Sequence, residues 1–73
     1  MHFQIVMDIS GDTRHQFDPE DACAVAEAEK RFCELTGAGF IAATRTGFDT
    51  SELVRHFDAA AQETVFIPRL VGG

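Results

Sequence analysis

At 73 residues, with 45% hydrophobic residues, seven Phe and neither Trp nor Tyr, the chain has the composition of one small globular domain rather than a disordered segment. A net charge of −6 at pH 7 argues against a basic nucleic-acid-binding face and favours a basic partner surface. A core this small yields only a few kcal/mol of net stability, and it leaves little material for an enclosed active site.

Met1, Phe3, Ile5 and Met7 alternate with His2, Gln4, Val6 and Asp8, which predicts a strand with one buried face. Ser10-Gly11-Asp12 reads as a turn, and Thr13 to Phe17 as the returning strand of a hairpin. Phe17-Asp18-Pro19-Glu20-Asp21 reads as a helix start: Asp18 caps, Pro19 suits the first helical position, and Glu20 and Asp21 suit the positive dipole end. A long helix is expected from Pro19 to about Thr36, with Ala22, Val25, Ala28 or Glu29, Phe32 and Leu35 as its buried stripe. Lys30 and Arg31 are expected to face water, and Gly37 to end the helix in a left-handed conformation.

Phe40 to Thr46 reads as a third strand between Gly39 and Gly47. Ser51 to Phe57 fits a strand through the alternation of Leu53, Arg55 and Phe57, and it also fits a helix capped at Thr50. Strand is preferred, because Phe57-Asp58-Ala59 echoes Phe17-Asp18-Pro19. A short helical turn over Ala59 to Gln62 and a final strand over Thr64 to Ile67 complete the body. Pro68 lacks a ladder donor and is expected to mark where the chain leaves the sheet. One helix across a mixed sheet is the compact arrangement for this order, so the fold class is α+β, a β-grasp.

The opening Met1 to Val6, the glycine turn, the Phe17-to-Asp21 approach to one long helix, and Glu63 to Ile67 running into Arg69-Leu70-Val71-Gly72-Gly73 follow the same order as in ubiquitin. The chain therefore resembles a ubiquitin-like modifier: a single domain over 1–73 with an exposed tail over 68–73. The resemblance implies that Gly73 supplies a carboxylate activated by an E1-like enzyme, with ATP consumed by that enzyme. It further implies that Arg69, Leu70, Val71 and Gly72 guide the tail into the activating enzyme, and that an E2-like enzyme and a deconjugating protease act later. Glycine suits such a tail because, lacking Cβ, it admits close backbone approach. Lys30 and the Met1 amine are the acceptor amines the chain itself offers. The single lysine departs from lysine-rich modifiers and points to a bacterial or phage-linked relative. Two alternatives stand beside this reading: a sulfur carrier forming a C-terminal thiocarboxylate, and a non-covalent interaction module.

Other patterns carry less. Cys23 and Cys33, ten residues apart, would be separated by about 15 Å on one helix. That exceeds the ~7 Å a disulfide spans, so free, buried or half-buried thiols are expected. Asp8, Ser10 and Asp12 lack the glycine placement of a calcium loop. His2, His15 and His56 are expected as exposed strand residues, with His15 able to face Asp8 across the hairpin. No metal, cofactor or catalytic motif is expected. Val6, Ile41 and Ala43 are expected on the open face of the sheet as a sparse docking patch. With no apolar run near a membrane-spanning length and no leader pattern, a soluble cytoplasmic protein is expected.

Overall fold

The computed structural model describes residues 1–45 and 51–69. In chain order the elements are β1 (His2–Asp8), β2 (Gly11–Phe17), α1 (Ala22–Gly37), β3 (Phe40–Arg45), β4 (Ser51–Val54) and β5 (Glu63–Pro68). The strands form one mixed five-stranded sheet in the order β2-β1-β5-β3-β4. β1 and β5 run parallel, and the other neighbours are antiparallel. The helix connects β2 to β3 and packs across one face. This small α+β layout is compatible with a β-grasp.

The β1–β2 hairpin turns tightly, with Asp8 paired to Gly11 and His2 to Phe17. Gly11 adopts φ +128°, a region that L side chains rarely occupy. The Asp8 carboxylate accepts the Ile9 N–H at 2.7 Å and secures the corner.

The helix begins three residues later than the sequence suggests. Asp21 is its N-cap, with Oδ1 accepting from the N–H groups of Cys23 at 3.0 Å and Ala24 at 3.3 Å. Asp18 instead holds the Pro19-Glu20 turn, accepting from Glu20 N–H at 2.9 Å. Pro19, Glu20 and Asp21 therefore precede the first helical turn. At the other end Gly37 is still helical, and the cap residue Ala38 has φ −85°. The left-handed step falls on Gly39, at φ +102°.

The core lies between α1 and the sheet. Phe32, Ala42 and Phe66 are its buried centre, with Val6, Leu35, Phe40, Val54 and Phe57 packed around them. Phe32 meets Phe66 and Phe57 with ring centroids 5.7 and 6.0 Å apart, and Phe57 continues to Phe17 at 6.2 Å. Of the expected helical stripe, Ala28 and Phe32 are buried, Val25 and Leu35 are half-buried, and Ala22 and Glu29 are exposed.

The side of β1 that faces the helix reverses the expectation. Gln4 is fully buried and Val6 packs on the core, whereas Phe3 and Ile5 are half-buried and Met7 is 40% exposed. Gln4 wins this place because both ends of its amide are used. Its Nε2 donates to the Ala28 carbonyl at 2.9 Å, and its Oε1 accepts from Arg31 Nη1 at 2.8 Å. Arg31 is accordingly half-buried rather than free in water.

Two boundaries also move. β4 stops at Val54, so Phe57 lies beyond the strand and turns into the core. Ala59 to Gln62 contains a single turn rather than a helix; it is closed by Ala61 N–H on the Asp58 carbonyl and Ala60 N–H on the Asp58 carboxylate. β5 is longer than expected, from Glu63 through Pro68, and Pro68 still pairs with Phe40. Thr46 and Gly47, expected at the end of β3, and the proposed cap Thr50 lie outside the described residues.

Candidate functional site

β5 sits at the centre of the sheet, between β1 and β3. Its last pair is Pro68 with Phe40, and the next N–H, that of Arg69, donates to the Gly39 carbonyl at 3.3 Å. Arg69 is exposed at this exit, beside the C-terminal end of α1. Leu70, Val71, Gly72 and Gly73 lie outside the described residues. Both candidate acceptor amines belong to exposed residues: Lys30 on α1, and Met1 just before β1. Because β1 and β5 are parallel, Met1 lies at the end of the sheet opposite Arg69. The six residues of β5 separate those ends by about 20 Å.

The open face of the sheet is the second component. Strand pairing aligns Ile5 with Val65, Ala43 with Val65 and Leu53, and Ile41 with Ile67. Paired residues share a face, so Phe3, Ile5, Met7, Ile41, Ala43, Leu53, Val65 and Ile67 form one apolar surface. Leu53, at 73% exposure, is its most prominent member. Arg14 lies over the Phe3 ring at 5.4 Å, and Arg45 pairs with Glu63 at 3.6 Å along its margin. Ile41 and Ala43 occur here as expected, although Ala43 is only 8% exposed; Val6 is on the opposite, helix-covered face.

Among the described residues no group of three metal-ligating side chains is found. His2 is half-buried, with Nδ1 3.0 Å from the Ala59 carbonyl and its ring edge-on to Phe17. His15 is half-buried and pairs with Gln4, while Asp8 pairs with Gly11, so the His15–Asp8 contact does not form. His56 is exposed beyond β4. Cys23 and Cys33 are free and exposed, not buried, because both lie on the solvent side of α1.

Sequence reasoning missed most of the open face. The signal was present in the run Phe3-Gln4-Ile5-Val6, whose apolar residues occupy both parities and so put apolar surface on both faces of the strand. Comparison with known protein families, with curated proteins and with solved structures finds no match to the chain. No helix among the described residues is long and apolar enough to cross a membrane.

Proposed function

We propose that this domain is a ubiquitin-like protein modifier of β-grasp fold, activated at the Gly73 carboxyl group by an E1-like enzyme and joined to target amines. One observation carries the reading: the central strand β5 ends at Pro68 and is followed by an exposed Arg69, from which the sequence Leu70-Val71-Gly72-Gly73 continues. Pro68 is the last paired residue of β5, so an activating enzyme would engage the segment that follows the paired strand. Its narrow slot is matched by glycine, which has no side chain to exclude the backbone from a nucleotide. The proximity that drives acyl transfer comes from the enzyme, and the domain contributes the substrate group.

The test is capture of an N-terminally tagged chain from its source cells, followed by peptide mapping. Adducts linking Gly73 to lysine are expected, and they should vanish when Gly73 is deleted. Adducts that survive the deletion contradict the reading. A terminal thiocarboxylate without adducts would identify a sulfur carrier instead.

A non-covalent interaction module is the second reading, favoured by the open apolar face. On that reading, partner binding withstands removal of Gly72 and Gly73 and is lost on Leu53→Asp.

A further inference from the structure

A cleft of about 390 Å³ runs between the second half of α1 and the β1–β2 hairpin. It is lined by Val6 and Leu35, which are apolar, and by Thr13, His15, Arg31 and Glu34. Val6 and His15 belong to the helix-covered side of the sheet, so the cleft is separate from both the open face and the Arg69 exit.

Arg31 is the distinctive group. One arm of its guanidinium is held by Gln4 at 2.8 Å, and Gln4 is itself fully buried and anchored on Ala28. The cation is thus fixed by a rigid element rather than left on a mobile stem. Among the described residues no carboxylate comes within ion-pair distance of it, so its other N–H donors are available to a ligand.

We propose that this cleft binds a carboxylate carrying a short aliphatic chain, with the carboxylate on Arg31 and the chain on Val6 and Leu35. A planar guanidinium matches a carboxylate in geometry as well as charge. Val6 and Leu35 provide the apolar contact that a simple inorganic anion would not use. Glu34 in the same lining repels a second negative charge, and the domain carries −6 overall. Both features select a monoanionic carboxylate over a phosphate dianion.

His15 is consistent with that role. Burial, aided by the positive charge of Arg31, holds its pKa below the usual 6.5. At neutral pH the ring is therefore uncharged and offers one donor and one acceptor. The groups around it are Arg31 and Glu34 from α1, Gln4 from β1, and Thr13 and Arg14 on its own strand. A bound carboxylate would add a negative charge beside the ring and raise its pKa.

A free acid and a glutamate side chain in a peptide both present this carboxylate chemistry, and the experiment separates the two sources. The ¹⁵N-labelled full chain is titrated with sodium hexanoate, with 1-hexanol, and with a capped Leu-Glu-Leu peptide. Saturable shifts at the amides of Thr13, His15, Arg31 and Leu35 are expected with hexanoate, the peptide or both. Arg31→Gln should weaken binding by about tenfold or more, and Glu34→Gln should tighten it by about two- to threefold. The His15 ring should titrate at higher pH when the ligand is bound. Saturation by hexanoate alone assigns a free acid, and a preference for the peptide assigns a side chain. If Arg31→Gln does not fold, Glu34→Gln and the alcohol decide. Equal response to hexanol, absence of saturation with both carboxylates, or no tightening in Glu34→Gln overturns the proposal.

Discussion

On the helix-covered face Phe66 and Ala42 are 0% and 1% exposed, while the next residues along the same two strands, Ile67 and Ile41, retain 43% and 38% on the open face. Both faces are apolar, so composition does not decide which is the core. The covered face differs in having a helix whose small Ala28 admits the sheet closely, and a glutamine that ties sheet to helix. The open face differs in having a charged margin, Arg14 over Phe3 and Arg45 beside Glu63. One face holds the fold together, and the other is left for contact.

The sharpest way to break this comparison is a pair of truncations in β5. Phe66→Ala empties the aromatic centre and should cost about 3–5 kcal/mol, comparable to the few kcal/mol of net stability that a core of this size supplies. Ile67→Ala, one residue along, should cost about 1 kcal/mol or less. Urea denaturation followed by circular dichroism reads both, and similar losses would mean that the faces are not distinct.

Gln4→Ala is next. It removes a buried amide, leaves a void beside Ala28 and frees Arg31, for an expected loss of about 2 kcal/mol. Loss of the N-cap comes third: Asp21→Ala should cost about 1 kcal/mol. Asp18→Ala should cost less than that, because Asp18 holds a turn outside the helix.

The pH effect is smaller. His15 has a native pKa below its unfolded value of about 6.5, so the unfolded chain binds the proton first as pH falls. Well above pH 6.5 both states are neutral and His15 contributes no pH dependence. Stability should decline as pH drops through about 6.5 and level off once the native ring is also protonated. In His15→Gln this component disappears from the denaturation midpoint measured against pH. At the small end, Leu53→Ser should change stability by no more than about 0.5 kcal/mol, leaving any effect to the interactions of the open face.

Much of the layout was legible in the residues. The hairpin, the single helix, β3 and the final strand each lie close to where alternation, caps and glycines put them. What the sequence did not disclose was the orientation of β1. Period-two alternation says that neighbouring residues face opposite ways, but in Phe3-Gln4-Ile5-Val6 both sets are partly apolar. Choosing the more hydrophobic set would be right for an edge strand with one wet face. β1 lies between β2 and β5 with apolar residues on both its faces, so the tie was broken by Gln4 and its partners on α1, twenty-four and twenty-seven residues away. The helix start was misplaced for a related reason. Asp18 and Asp21 are both competent caps, and only the hydrogen bonds show that Asp18 stabilises a turn and Asp21 the helix. Of the candidate site, Arg69, Lys30 and Met1 are exposed, while the Arg31 cleft had no linear signature, since its lining comes from three elements.

The measurement that bears most directly on the two-faced sheet is a nuclear Overhauser spectrum of the labelled chain. Cross-peaks from the Gln4 side-chain amide to Ala28 and Arg31 are predicted, with none from the Ile5 methyl groups to α1. Cross-peaks from Ile5 to Ala28, with Gln4 exchanging freely with solvent, would reverse the faces and contradict the account.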